Sequence, residues 1–156
     1  MRYLSFLWVL LIASFVNAHP YEAGQVRIAA GGGGGPDGWS IGVSGGYFVI
    51  DALELGLGTT YIQGKDLSIV QVTGRTTYVF MPDESFNPYA GTFVRRWIVT
   101  DGDASDQSSL GGRLGFYHVS SSNLILGLGV AQEVILDCDD DQCDSTYPEF
   151  SLALVF

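Results

Sequence analysis

The chain has 156 residues, with seven Lys and Arg against 17 Asp and Glu and a formal net charge of −10. So few cations exclude a nucleic-acid-binding surface, because phosphate affinity needs clustered Lys and Arg. Glycine is abundant at 21 residues and helix-favouring Ala/Glu/Lys/Leu blocks are missing, which points to an all-β domain.

Residues 1–18 begin with Arg2, continue as an apolar run and close on Val16, Asn17 and Ala18. This is the pattern of a secretory signal cleaved before His19. The apolar run, over 4–15, is well short of the roughly 20 residues that a spanning helix needs. Later apolar runs are all broken by Gly, Ser, Thr or a charge. In a membrane, such a chain must form a closed barrel, the only other structure that satisfies its backbone groups in hydrocarbon. Residues 19–156 form one domain, with room for about eight tilted strands.

Two-residue alternation marks the strands. The first, 24–30, turns Val26, Ile28 and Ala30 outward and Arg27 inward, and the glycine run 31–35 with Pro36 is read as a loop. In 39–49, Trp39, Ile41, Val43 and Tyr47 face out and Ser40, Gly42, Ser44 and Gly46 face in. Over 53–61, Leu53, Leu55, Leu57 and Tyr61 oppose Glu54, Gly56, Gly58 and Thr60. Over 68–80, Val70, Val72, Tyr78 and Phe80 oppose Gln71, Thr73, Arg75 and Thr77. The fifth strand, 87–99, is ambiguous in parity, since Tyr89, Phe93 and Trp97 compete with Ala90, Val94 and Ile98. Consecutive Arg95 and Arg96 send one guanidinium each way. Strand 110–118 places Leu114 and Phe116 outside and Arg113 and Tyr117 inside. Strand 124–135 alternates Leu124, Leu126, Leu128 and Val130 with Gly127, Gly129 and Glu133. Over 146–156, Pro148, Phe150, Leu152, Leu154 and Phe156 lie opposite Glu149, Ser151, Ala153 and Val155. Connections near 31, 63, 104 and 141 read as longer loops and those near 51, 83 and 121 as tight turns. Bacterial barrels keep short turns in the periplasm, so both chain ends are expected there.

The alternation, the Asn87-Pro88-Tyr89-Ala90-Gly91 strand opening and the terminal Phe156 resemble the small eight-stranded outer-membrane barrels of the OmpA/OmpX type. The resemblance extends over essentially all of 19–156. It implies an eight-stranded, antiparallel, up-and-down transmembrane β-barrel in the outer membrane of a Gram-negative bacterium, in contact with lipid and lipopolysaccharide. It also implies that Phe150, Leu152, Leu154 and Phe156 act as a signal read by the barrel-assembly machinery. It leaves the activity open, because this barrel hosts adhesins, anchors, enzymes and passive surface proteins.

Strand parity gathers Arg27, Arg75, Arg113 and one of Arg95/Arg96 inside with Glu54, Glu133 and Glu149. Opposite charges in a narrow lumen neutralise one another, so an internal ion-pair network is expected, with a narrow ion path as the alternative. Asp37, Asp66, Asp101, Asp103, Asp106, Asp137, Asp139, Asp140, Asp141 and Asp144 fall in the longer loops against Lys65 alone. Such an acidic rim suits divalent cations or a basic partner, another outer-membrane or surface protein. Cys138 and Cys143 are expected to form a disulfide, as an exported chain meets oxidising conditions. Asp137, Asp139 and Asp141 have calcium-loop spacing, but Gln142 and Pro148 stand where an EF-hand needs Gly and Glu. This leaves a looser calcium site with Asp144, and no other cofactor. His118 and Ser120 with downstream Glu133 are faintly similar to the catalytic set of barrel enzymes that deacylate lipid A, a weak alternative to a non-enzymatic role. Trp39, Tyr61 and Trp97 are placed in one interfacial aromatic girdle and Tyr78, Phe80, Phe86 and Phe116 in the other.

Overall fold

Eight strands, each antiparallel to the next, close into a barrel with no crossovers. A computed structural model describes residues 20–35, 38–65, 67–102, 105–120, 123–136, 138 and 143–156. The expected leader falls outside them. The strands are β1 (Val26–Gly35), β2 (Gly38–Ile50), β3 (Leu53–Gly64), β4 (Ser68–Val79), β5 (Phe86–Asp101), β6 (Gln107–Val119), β7 (Leu124–Ile135) and β8 (Asp144–Val155). Among the described residues, no helix is long and apolar enough to cross a membrane.

The alternation sorts side chains as the sequence pattern requires. Ile28 is 53 % exposed on the outer wall, Leu57 71 % and Phe150 73 %, while the inward neighbours Arg27 and Glu54 are almost wholly buried. Apolar groups outside and charged groups inside invert the arrangement of a water-soluble domain.

Three expectations are corrected. The glycine run is strand, not loop: β1 pairs with β2 as far as Gly35↔Gly38. Gly32 has a steric reason to lack a side chain, since a Cβ there would lie 2.6 Å from the Ser40 carbonyl oxygen. As a result, only positions 36–37 join β1 to β2 and 65–67 join β3 to β4, whereas 80–85 separate β4 from β5. Connection length therefore does not distinguish the two ends of the barrel. The third correction concerns β5. Tyr89 and Phe93 are buried inside, and Trp97 also turns inward, where its Nε1 donates to Glu133 at 3.3 Å. Trp97 is thus not part of a girdle. Parity follows from partners: Arg95 finds Glu133 in the interior, and Arg96 reaches Asp106 on the surface. The other aromatic pairs stand on the outer wall, with Trp39 and Tyr61 rings 5.6 Å apart, Tyr78 and Phe80 5.0 Å apart and Phe86 stacked on His118 at 4.8 Å.

The barrel closes where Arg27 to Ala30 pair with Val155 to Leu152. Pro148, which has no N–H to donate, lies in the part of β8 beyond this pairing. The start of β1 and the end of β8 meet there, with Val26 and Phe156 exchanging backbone hydrogen bonds of 2.9 Å.

That end is filled by an apolar layer. Phe48, Val79, Tyr117 and Ile125 are fully buried, and Tyr21, ahead of β1, joins them at 2 % exposure. The Tyr21 ring stacks on Tyr117 and meets Phe48 edge-on, its hydroxyl donates to Asn87 Oδ1 at 3.0 Å, and its carbonyl accepts from Ala52 N at 2.8 Å. Asn87 in turn donates to the carbonyls of Met81 and Glu84, which ties the plug to the β4–β5 turn.

Interior glycines make room for large side chains. A Cβ on Gly129 would collide with the Tyr89 hydroxyl and lie 2.7 Å from the Leu114 carbonyl, whereas one on outward-facing Gly112 would meet nothing closer than 3.9 Å. Gly129→Val should therefore abolish the compact, heat-modifiable form of the barrel on gel electrophoresis, and Gly112→Val should leave it intact.

Candidate functional site within the barrel

The charged residues assemble in two tiers above the apolar layer. In the lower tier, five strands contribute one charge each: Arg27 from β1, Glu54 from β3, Arg75 from β4, Arg113 from β6 and Glu149 from β8. Glu54, fully buried, accepts a hydrogen bond from Arg75 Nη2 at 3.1 Å through Oε1, and its Oε2 stands in ion-pair contact with Arg27 Nη2 at 2.9 Å. Arg113 Nε stands 3.3 Å from Glu149. The guanidinium of Arg27 also lies over the Tyr117 ring at 5.0 Å and that of Arg113 over Tyr89 at 4.8 Å, and the two rings stack 4.3 Å apart. Aromatic faces thus share the stabilisation of charges removed from water. Gly46 is what admits Glu54, since any Cβ there would overlap the carboxylate.

The upper tier is centred on Glu133. One carboxylate oxygen accepts from Arg95 Nη1 at 2.6 Å and from the Tyr147 hydroxyl at 2.8 Å. The other accepts from Trp97 Nε1 and from the Ser109 hydroxyl. Arg95 is held from behind by Thr73, whose hydroxyl accepts from Nε at 3.1 Å. Four donors on one carboxylate make this a rigid, saturated cluster.

Between these tiers and the loop end lies a cavity of about 400 Å³. Its floor carries Arg75 and Arg113, with Glu149 beside them, and its opposite wall carries Ser40, Ser44 and Thr60. These inward-facing hydroxyl residues are partly exposed, whereas inward positions at the other end, such as Phe48, Val79 and Tyr117, are buried. The cavity does not continue through the barrel.

All the residues expected in the lumen network point inward, and Arg95 is the inward member of its pair. Tyr117 was placed inside by parity, whereas Tyr89, Trp97 and Tyr147 were not assigned to the interior, although Tyr147 shares the parity of Glu149 and was legible on that ground. The other proposed groupings fare differently. His118 Nδ1 lies 3.1 Å from the Ser85 carbonyl. Glu133 pairs in register with Gly111, seven positions along β6 from His118, roughly 20 Å away. Glu133 is thus not brought to His118 and Ser120. Cys138 and Cys143 are disulfide-bonded, with Cα atoms 5.6 Å apart. Asp144 is exposed at the start of β8, while Asp37, Asp66, Asp103, Asp137, Asp139, Asp140 and Asp141 lie outside the described residues. Among the described residues, no three His, Cys, Asp or Glu side chains cluster as a metal site.

No family model and no curated protein matches the chain. Solved structures do share its fold. The N-terminal β-barrel domain of Pseudomonas aeruginosa OprF superposes with a TM-score of 0.70 at 15% identity, covering 86% of this chain and 98% of that one. The outer membrane protein OprG from Pseudomonas aeruginosa gives 0.61 at 16% identity, over 88% and 98% of the two chains. Neisserial surface protein A gives 0.57 at 21% identity, over 84% and 93%. The architecture is that of the small eight-stranded outer-membrane barrels.

Removing one member of a buried ion pair leaves the other charged and desolvated. Glu54→Gln should therefore destabilise the barrel by about 3–5 kcal/mol, read from urea unfolding in lipid vesicles. Adding Arg27→Met, which removes the more deeply buried of the two orphaned cations, should recover part of that loss.

Proposed function

We propose that the chain is a non-enzymatic outer-membrane protein of a Gram-negative cell envelope with a structural or surface-interaction role. The observation that carries this reading is the inverted barrel itself, whose outer wall of aliphatic and aromatic side chains encloses buried ion pairs. Such a wall is soluble only in lipid, and strands paired in a closed ring satisfy most of their backbone groups there. An outer-membrane location accords with the leader pattern of residues 1–18, the disulfide at Cys138 and Cys143, and the shared fold of OprF, OprG and Neisserial surface protein A.

The chain ends are assigned to the periplasm and the acidic loops to the cell surface. Asp101, Asp106 and Asp144 are exposed at the loop end, and the sequence adds further aspartates to the same connections. A rim of this charge favours a basic surface on a neighbouring outer-membrane or surface protein, or divalent cations bridging it to lipopolysaccharide. The C-terminal row of Phe150, Leu152, Leu154 and Phe156 is the proposed contact for the assembly machinery. The apolar layer around Tyr21 argues against an ion path, and the separation of Glu133 from His118 argues against lipid hydrolysis.

Cell fractionation tests the location: the protein should co-sediment with outer-membrane vesicles, and recovery in the soluble periplasm would overturn the assignment. Leu57→Arg on the lipid-facing wall should cost about 2–4 kcal/mol in vesicle-based unfolding. His118→Ala should leave lipid A acylation unchanged, and the purified barrel should give no steady conductance in planar bilayers. A surface role predicts a stoichiometric companion on co-purification from intact outer membranes, lost when Asp101, Asp106 and Asp144 are changed to Asn.

A further inference from the structure

The two tiers differ in how their charges are satisfied. Around Glu133, one carboxylate faces one guanidinium and every carboxylate oxygen is hydrogen-bonded. In the lower tier, three guanidiniums face two carboxylates, leaving one positive charge uncompensated among the described residues. Buried Arg27 Nε and Nη1, Arg75 Nε and Arg113 Nε make no hydrogen bond. Glu54 Oε2 and Glu149 Oε2 stand within ion-pair distance of an arginine but outside hydrogen-bond geometry. The side chain of Arg113 is 9% exposed and that of Arg75 11%, and both line the floor of the cavity. The excess positive charge of the lower tier therefore borders a cavity through Arg75 and Arg113.

We propose that this cavity binds a small monoanion, with a carboxylate as the best-matched class. The planar guanidiniums of Arg75 and Arg113 offer paired donors suited to a planar, two-oxygen anion, and a unit negative charge cancels the excess of the lower tier. Across the cavity, Ser40, Ser44 and Thr60 supply hydroxyls for the rest of such a ligand. Glu149 sets the limit on charge, because it shares the floor and repels a second negative charge. The acidic rim acts only weakly on an anion held at the cavity floor. Arg75 lies seven residues from Ser68, the loop-side end of β4, roughly 20 Å along the strand, and the Debye length at physiological salt is about 8 Å. This inference is independent of any partner at the loops.

Acetate titrated into the refolded barrel in nonionic detergent, followed through the arginine Nε resonances, tests it. Saturable shifts are expected at Arg75 and Arg113 but not at exposed Arg96. Glu149→Gln, which removes the repelling carboxylate, should tighten acetate binding about tenfold, and Arg75→Gln should weaken it by at least as much. Shifts that stay linear with acetate, or that appear equally at Arg96, would overturn the site. So would an unchanged affinity in Glu149→Gln, which settles the matter even if Arg75→Gln does not refold. Chloride binding as tightly as acetate would overturn the carboxylate assignment.

Discussion

The buried carboxylate of Glu54, clasped by Arg27 and Arg75, is the interaction around which the barrel is arranged. An ion with no access to water is tolerable only when opposite charges reach it in good geometry. Three strands must then hold their register, because a slip of one residue would turn Arg27, Glu54 or Arg75 onto the outer wall. Gly46 and Gly56 follow from the same demand, since each lies where a side chain would overlap Glu54 or Arg75. So does the stacked pair Tyr89 and Tyr117, whose faces carry the guanidiniums that the carboxylates do not fully cover.

The interior is graded along the axis. A dry layer around Tyr21 and Phe48 closes the end where Val26 and Phe156 meet, the under-neutralised lower tier lies above it, and a more polar cavity follows. The saturated Glu133 cluster braces one side of that cavity through Arg95 and Tyr147. This grading separates two jobs within one short cylinder: the sealed end and the ion pairs give rigidity, and the loop-side half keeps room for a ligand. Lipid contact is left to the outer wall, where outward Leu, Ile, Val and Phe make no demand on the inside.

Strand existence and facing were legible because a half-buried strand has a period of two and the outer and inner solvents here differ so sharply. Arg27, Glu54, Arg75, Arg113 and Glu149 could be placed together from parity alone. Parity could not decide β5, where Tyr89, Phe93 and Trp97 are apolar enough for either face. Only their partners, Glu133 for Trp97 and the Tyr117 ring for Tyr89, break that tie. The glycine run reads as a loop for a related reason: glycine is a turn former in most contexts, but at Gly32 the close approach of the β2 backbone requires a residue without Cβ. The Tyr21 plug had no periodic signal, since it precedes the first strand. The functional sites stay less legible than the fold, because ion pairs that serve stability and ion pairs that bind a ligand use the same residue types.

The closing seam has a kinetic meaning. Its partners, Arg27 to Ala30 and Leu152 to Val155, are the most distant in the sequence and share the fewest ladder rungs. Bringing them together carries the largest entropy loss of any strand pair, and a short ladder with Pro148 beyond it offers little enthalpy in return. The hairpins, built from near neighbours, can zip first, but their open sheet would still expose two raw edges to hydrocarbon. The joining of the first and last strands is therefore the costliest pairing of the barrel and its latch.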